Sequence, residues 1–178
     1  MEFKEYKKYR WFFTKSGKLV IGGKSAEQND ELLRKLKALE TNFFVMHTAS
    51  PGSPFSIIFE KMEKVAKDDL NEAAIFTGCF SRAWRSGAKK AEVHIFKLSD
   101  LYKLKSMAQV TWGVREVLSK PKVNLELVLT KQSGILRAVP EQSLSNKKDI
   151  LLKVFPGKNL KEQMLPKLEI ELQQNFSS

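Results

Sequence analysis

Short apolar runs separated by turn-length connections restrict the fold of this 178-residue chain more than any other feature of its sequence. Residues 11–13 and 19–21 are joined by a segment that contains Gly17, and residues 43–47 and 55–59 by a Pro/Gly-rich loop. Apolar and aromatic runs spaced in this way are typical of antiparallel hairpins. Further strands are predicted at residues 92–98, 125–129, 135–139 and 150–155.

Two longer segments with helical periodicity lie among these runs. Ser25 and Gln28 have the spacing of a capping box, which predicts a helix over residues 25–40. Acidic capping predicts a second helix over residues 68–85. The apolar faces consist of Leu32, Leu33, Leu36 and Leu39 in the first helix and of Leu70, Ala73, Thr77, Phe80 and Trp84 in the second.

Helices and strands are therefore interspersed, and hairpin-length connections dominate. This pattern favours an α+β fold, with a mainly antiparallel sheet packed against two main helices, over a doubly wound parallel sheet. The length is that of one domain, and the sequence contains no repeat, low-complexity segment or clear linker. We predict a single domain over residues 1–178 with a frayed end at residues 173–178.

The charge of the chain is strongly positive and unevenly distributed. The formal net charge is +11 and the isoelectric point is near 9.7. Residues 1–24 carry seven basic and two acidic side chains, and residues 82–122 carry ten and three. A polyanion is the expected partner, with nucleic acid ahead of an anionic membrane surface. A solvated lysine-rich surface is the alternative interpretation.

The sequence does not indicate a disulfide, a metal site, a cofactor or a membrane insertion. Cys79 is the only cysteine, and no Cys/His pattern has zinc-ligand spacing. No long apolar run follows Met1. We therefore expect a cytoplasmic protein without cofactor, in which Cys79 is a buried, inert thiol.

A glycine pair precedes the first predicted helix. Gly22 and Gly23 would let backbone N–H groups approach a phosphate at the start of the helix, and Lys24 and Lys18 would add positive charge. The alternative is a glycine pair that only gives the backbone freedom to turn between strand and helix. The sequence leaves both interpretations open.

A second group of cations lies at the end of the second predicted helix. Arg82, Arg85 and Lys89 follow at intervals of three and four residues, so a continuous helix would align them in one stripe, which Lys90 extends. Such a stripe suits a phosphate backbone. Cations that only complement the helix dipole are the alternative.

Three other residues are candidate contacts. Trp11, flanked by Arg10, is a possible stacking platform for an unpaired base, although a place in the core is the more frequent role of such a residue. His47 precedes the Pro/Gly loop and is either a hydrogen-bonded structural residue or a contact in the site. No Walker loop, nucleophile elbow or metal-ligand spacing indicates catalysis.

A set of short motifs is distributed over residues 6–105, at positions 9–12, 17–24, 26, 28–29, 47, 52–54, 73–74, 81–84 and 93–103. With these motifs the sequence resembles the NFACT-R domain, the RNA-binding domain of NFACT proteins, which act in ribosome-associated quality control. The segment at residues 154–157 resembles the end of that domain more weakly. Ala49 stands where the family usually has aspartate.

The resemblance implies a stand-alone, non-catalytic RNA-binding module. Its implied partners are ribosomal RNA or tRNA, a ribosomal subunit and proteins that carry the other NFACT domains. Two other functions remain open: a nucleic-acid-processing enzyme that uses His47, and an adaptor that docks on a ribosomal or quality-control protein. The candidate RNA contacts are Arg10, Trp11, Lys18, Gly22, Gly23, Lys24, His47, Arg82, Arg85, Lys89 and Lys90.

Overall fold

The computed structural model of the protein describes residues 2–157 together with residues 170, 173 and 174. The predicted frayed end lies outside the described residues except for Gln173 and Gln174. The described helices of at least four residues are α1 (Ala26–Lys37), α2 (Lys67–Cys79) and α3 (Arg82–Arg85). The described strands are β1 (Arg10–Phe13), β2 (Leu19–Gly22), β3 (Phe44–Thr48), β4 (Ser56–Ile58), β5 (Lys90–Lys97), β6 (Leu101–Tyr102), β7 (Gly113–Val114), β8 (Lys122–Asn124), β9 (Leu127–Gln132), β10 (Ile135–Val139) and β11 (Leu152–Val154).

The main sheet has six strands in the order β1-β2-β4-β3-β5-β8, and every neighbouring pair is antiparallel. A three-stranded sheet, β10-β9-β11, and a two-strand pair, β6-β7, complete the described strands. The predicted α+β class with a mainly antiparallel sheet is confirmed. None of the helices among the described residues is long and apolar enough to cross a membrane.

The two faces of the six-stranded sheet are covered by different helices. Adjacent strand residues point to opposite faces, so Trp11 packs with the α1 leucines and Phe12 packs with α2. Phe12 and Phe76 of α2 have ring centroids 4.7 Å apart. Val128 and Val139 of the three-stranded sheet join the core on the α2 side. The two predicted main helices therefore cover the sheet from either side.

The prediction of one continuous helix over residues 68–85 is wrong at its C-terminal end. α2 ends at Cys79, and Ser81 adopts an extended backbone and caps α3. The Ser81 hydroxyl donates to the Gly78 carbonyl at 2.6 Å and accepts from the Ala83 N–H at 3.2 Å. Serine favours such hydrogen bonds with nearby backbone groups over a place in a helix interior. The chain therefore leaves α2 before Ser81, and the separate helix α3 starts at Arg82.

Leu36 and Leu39 provide a test of where α1 ends. The helix ends at Lys37. Leu36 lies within it and is fully buried, whereas Leu39, predicted to share its face, lies beyond the helix end and is 47% exposed. Leu36→Ala should lower the free energy of unfolding by about 2–5 kcal/mol. Leu39→Ala should change it by less than about 0.5 kcal/mol. Urea denaturation of both variants measures the difference, and equal losses would contradict this position of the helix end.

Two buried carboxylates of α2 hold the β1–β2 turn. Asp69 accepts hydrogen bonds from the hydroxyls of Thr14 at 2.6 Å and Ser16 at 2.5 Å, and Glu72 accepts one from the Lys15 N–H at 2.9 Å. Asp69 is 1% exposed and Glu72 is 2% exposed. Burial raises the pKa of Glu72 to about 7, although the hydrogen bond from the Lys15 N–H acts to lower this pKa.

Glu72 should make stability depend on pH. Between pH 4.5, its ordinary pKa, and about 7, the folded state keeps a proton that the unfolded state loses, so stability falls as pH rises. Glu72→Gln is neutral at every pH. Its free energy of unfolding should therefore exceed that of wild type by about 3 kcal/mol at pH 8, with no gain at pH 4.5. Urea denaturation at both pH values measures this, with exposed Glu116→Gln as control. A gain that is equal at both pH values would contradict the titration of Glu72.

The free edge of β1 is covered by side chains from the three-stranded sheet. The Gln132 amide donates to the Phe13 carbonyl at 2.9 Å and accepts from the Phe13 N–H at 2.8 Å. Arg137 donates to the Trp11 carbonyl at 2.9 Å, and its guanidinium carbon lies 4.4 Å from the centroid of the Trp11 ring. These contacts satisfy backbone groups that an edge strand would otherwise leave open.

Candidate nucleic-acid interface

A cleft of about 430 Å³ lies between the N-terminal end of α1, the loop at residues 51–54, α3 and the start of β1. Segments that are far apart in the sequence meet around it. Val110, from the long connection between β6 and β7, also lines the cleft. Six of the residues predicted from the sequence lie in its lining: Arg10, Gly23, Lys24, His47, Arg82 and Arg85.

The entry into α1 has the predicted Ser25 cap, but the Gln28 side chain bonds to the residue before the cap instead of to the Ser25 N–H. The Ser25 hydroxyl accepts from the Gln28 N–H at 3.1 Å. The Gln28 amide oxygen reaches back and accepts from the Lys24 N–H at 2.8 Å. Lys24 is exposed at the start of the helix. Its positive charge and the positive end of the helix dipole therefore both attract an anion to this place.

Gly23 lies too close to Asn29 for any side chain. A Cβ at this position would be 2.2 Å from the Asn29 side-chain oxygen. Asn29 is almost completely buried and accepts a hydrogen bond from the Phe55 N–H at 3.1 Å. The close approach of Gly23 therefore joins the start of α1 to the segment that enters β4, and it fixes one wall of the cleft.

The opposite wall is formed where the loop at residues 51–54 meets α3. Gly52 has φ +104°, and a Cβ there would lie 2.6 Å from the aliphatic side-chain atoms of Arg82. The Arg82 N–H donates to the Gly52 carbonyl at 3.0 Å. Glycine is required by both the backbone conformation and the contact. The loop therefore fixes the direction in which the Arg82 side chain leaves α3.

Arg10 is the most buried cation of the cleft. Its guanidinium carbon lies 5.0 Å from the centroid of the Phe80 ring, and its Nε atom is buried without a hydrogen-bond partner. Burial lowers the pKa of Arg10, and repulsion from Arg85 lowers it further. A guanidinium remains protonated in spite of such shifts. Arg10 and Arg85 thus bring two like charges together at the cleft.

The positive charge of the cleft is not neutralised by the protein. No aspartate or glutamate occurs among the described residues that line the cleft. Within the described part of the chain, Arg10, Lys24, Arg82 and Arg85 form no ion pair, whereas Lys103 and Arg34 both pair with Asp30. Arginines and a lysine that converge without a carboxylate form the kind of site that binds phosphate groups. We call the cavity that these four residues line the basic cleft.

His47 lies in the lining at the end of β3. Its Nδ1 is 2.7 Å from the Thr48 carbonyl oxygen, and its ring centroid is 4.6 Å from that of Phe55. Burial lowers the pKa of His47, although the hydrogen bond to the Thr48 carbonyl acts to raise this pKa. The hydrogen bond to Thr48 agrees with the interpretation of His47 as a hydrogen-bonded residue.

A narrower groove of about 230 Å³ adjoins the basic cleft. Arg82 and Pro51 line both cavities, and Lys90 lines the groove at the start of β5. Lys90 therefore lies near the basic cleft, in a groove that Glu92 also lines. Lys89 is also exposed, but it lies beyond the end of α3, so the predicted helical stripe of Arg82, Arg85 and Lys89 does not form.

Besides Lys89 and Lys90, three predicted contacts do not line the basic cleft. Lys18 lies at the opposite end of the β1–β2 hairpin, with its Nζ 3.8 Å from a carboxylate oxygen of Glu60. Gly22 is a buried strand residue paired with Arg10. Trp11 is 1% exposed and packs in the core, so it cannot offer a face to an unpaired base. The alternative interpretation of Trp11 as a core residue is the correct one.

Sequence reasoning also missed residues that shape the cleft. Phe80 was assigned only to the core, although its ring supports the Arg10 guanidinium. Val110 reaches the cleft because Asp30 accepts hydrogen bonds from Lys103 at 2.6 Å and from the Trp112 indole at 2.9 Å, which attaches their connection to α1. No local pattern in the sequence signals either contact.

Cys79 is buried, as predicted. It is 3% exposed, and burial raises the pKa of its thiol to about 12. A thiol with so high a pKa is almost completely protonated at neutral pH and is a poor nucleophile. Among the described residues, no group of three His, Cys, Asp or Glu side chains could hold a metal ion.

Comparison with known proteins gives both a family and a fold. Residues 8–114 match the family described as NFACT protein RNA binding domain. Over 86 residues the chain is 35% identical to the archaeal Rqc2 homolog aRqcH of Methanocaldococcus jannaschii, an alignment that covers 48% of this chain and 12% of that relative. The chain thus matches only a small part of the relative's length.

A solved structure shows the same fold. The C-terminal part of the fibronectin/fibrinogen-binding protein from Streptococcus suis superposes with a TM-score of 0.54 at 17% identity. The superposition covers 66% of this chain and 44% of the other. The matched family range, residues 8–114, contains every residue that lines the basic cleft, whereas β9, β10 and β11 lie beyond it. Since that range is more than half of the chain, the protein belongs to the NFACT-R family of RNA-binding domains.

Proposed function

We propose that this chain is a non-catalytic module that binds ribosomal RNA or tRNA by holding the phosphate backbone in the basic cleft. The observation that carries the proposal is the convergence of four cations that form no ion pair among the described residues, in a concave surface whose described lining contains no carboxylate. Burial lowers the pKa of Arg10, and repulsion between Arg10 and Arg85 lowers it further. A phosphate group would relieve this repulsion and accept their hydrogen bonds.

The expected binding mode is electrostatic and independent of sequence. Phosphate contacts position a protein on a nucleic acid without identifying its bases. The aromatic rings of the cleft do not change this expectation, because Phe80 faces Arg10 and Phe55 faces His47. Base stacking therefore contributes less than in single-strand binders that present open aromatic rings.

The cellular role follows from the family. We infer a cytoplasmic function in ribosome-associated quality control or translation, because the chain is similar to part of an Rqc2 homolog. A ribosomal subunit is the expected large partner, and proteins with other NFACT domains are the expected protein partners. The resemblance to NFACT-R supports this assignment, and the basic cleft provides a surface for it.

Fluorescence anisotropy with an unstructured RNA, measured at several salt concentrations, tests the RNA-binding function. The logarithm of the affinity should fall linearly with the logarithm of the salt concentration, with a slope of about −0.7 for each phosphate contacted. Failure to bind RNA at low salt would overturn the proposal. A salt- and nuclease-resistant protein complex would then favour the adaptor function, and RNA turnover that requires His47 would favour the enzyme.

Sedimentation and crosslinking test the cellular assignment. The protein should travel with ribosomal subunits in a gradient at low salt, and RNA crosslinked to it in cells should consist mainly of ribosomal RNA or tRNA. Crosslinks distributed over messenger RNA without enrichment of these two classes would contradict the proposed targets, while leaving the RNA-binding mode intact.

A further inference from the structure

The hydrogen bond from His47 to Thr48 defines which ring nitrogen carries the proton. A carbonyl oxygen only accepts, so the 2.7 Å contact requires that Nδ1 donates. In a neutral imidazole the other nitrogen, Nε2, then has a free lone pair and can accept a hydrogen bond. The Phe55 ring packs against the imidazole at a tilt of 35° and restricts its orientation.

The neutral form of His47 is favoured by its surroundings. Burial lowers the pKa of His47, and His94, directly opposite on β5, lowers it further. The Thr48 carbonyl acts in the opposite direction but does not reverse the shift. His47 is therefore neutral at pH 7, and Nε2 remains an acceptor.

Nε2 of His47 has no hydrogen-bond partner among the described residues. It is not completely buried, because the completely buried side-chain atoms without a partner are Arg10 Nε, Ser56 Oγ and Asp100 Oδ2. Since His47 lines the cleft, this uncommitted nitrogen is the acceptor that its side chain can offer to a bound molecule.

The other free polar groups of the basic cleft differ from Nε2 in their chemistry. Arginine and lysine side chains only donate hydrogen bonds. The neighbouring side-chain oxygens already accept from backbone N–H groups: Asn29 from Phe55, Ser53 from Thr48, and Ser81 from Ala83. His47 therefore adds an uncommitted neutral acceptor to a cleft whose free groups are mainly cationic donors.

A ribonucleotide presents the complementary pair of groups. Its phosphate is an anionic acceptor. Its 2′-hydroxyl, a group that DNA lacks, is a donor close to that phosphate. We propose that His47 selects RNA over DNA by accepting a hydrogen bond at Nε2 from the 2′-hydroxyl of a nucleotide whose phosphate lies in the basic cleft. The inference rests on the proposed RNA-binding function and names the group by which that site recognises ribose.

Three oligonucleotides of one unstructured sequence test this role: RNA, DNA and 2′-O-methyl RNA. Wild-type protein should bind the RNA about three- to tenfold more tightly than the other two, as expected for one net hydrogen bond. The 2′-O-methyl strand keeps the oxygen but cannot donate, so it isolates the proposed contact. This comparison needs no variant, and the three strands carry the same number of phosphates.

Variants then assign the preference to His47. His47→Phe should remove the preference for RNA, whereas His47→Gln, whose amide oxygen accepts, should retain part of it. His94→Phe is the matched control, because His94 is bound to Glu92 and does not line the cleft. This control is measured at pH 8, where His47 stays neutral even without the effect of His94 on its pKa. Thermal unfolding identifies any variant that does not fold, and the wild-type comparison remains decisive in that case.

The possible outcomes separate this inference from the proposed function. Equal binding of all three strands by wild-type protein would overturn the role of His47 but support the basic cleft as a general phosphate site. A preference for RNA that persists in folded His47→Phe would also overturn it. Absence of RNA binding at low salt would overturn the proposed function itself.

Discussion

Replacement of Lys24, Arg82 and Arg85 by alanine should lower the affinity for unpaired RNA by about 1,000-fold at low salt. Each lost charged hydrogen bond to phosphate costs about 1.5 kcal/mol or more. The slope of log affinity against log salt should become flatter by about 2, since each phosphate contact on a single strand contributes about 0.7. Lys24, Arg82 and Arg85 are exposed and make no side-chain hydrogen bond among the described residues, so the variant should fold normally.

A charge-matched control separates the basic cleft from the overall charge. Replacement of Lys8, Lys35 and Lys153 by alanine removes the same three charges, but each of these lysines pairs with a glutamate at 2.6–2.8 Å. Anisotropy should detect only a small loss in this control. Equal losses in the two triple variants would mean that net charge, and not the arrangement in the cleft, determines RNA binding.

The sequence predicts eight of the eleven described strands and the α1 start, because those features depend on local patterns. It does not predict β6, β7 and β8, which have only two or three residues each. β10 covers the predicted residues 135–139, and α1 begins after the Ser25 cap. The break at Ser81 was missed because the apolar spacing continues through it, from Phe80 to Trp84. Hydrogen bonding by one serine side chain outweighs that spacing and divides the predicted helix.

The membership of the basic cleft could be predicted only in part. Lys24, Arg82 and Arg85 are near motifs that the sequence displays, but the choice between Arg10 and Lys18 depends on hairpin register. Arg10 is opposite Gly22 and beside the cleft, whereas Lys18 lies past the other end of the paired residues. Turn geometry sets this register and thereby decides which cation joins the site.

Contacts between distant segments remained beyond sequence reasoning. Asp30 binds Lys103 and Trp112, which are 73 and 82 residues away in the chain. Opposite charges and an indole donor at such separations have many possible partners in a chain with 29% charged residues. The neutral tautomer of His47 likewise depends on a backbone carbonyl and on burial, which become visible only in the folded structure.

Trp11→Ala should lower the free energy of unfolding by about 3–5 kcal/mol, the cost of removing a large buried aromatic side chain. The Trp11 ring is 1% exposed, lies 4.9 Å from the Tyr6 ring in an edge-to-face arrangement, and supports Arg137 at 4.4 Å. Truncation therefore opens a cavity and removes one of the contacts between β1 and the three-stranded sheet. Urea denaturation measures the loss, and Trp11→Phe, which keeps an aromatic ring, should lose much less stability and bind RNA like wild type. A stable Trp11→Ala protein with weakened binding of unpaired RNA but not of duplex would instead identify Trp11 as a base-stacking residue, in contradiction to its place in the core.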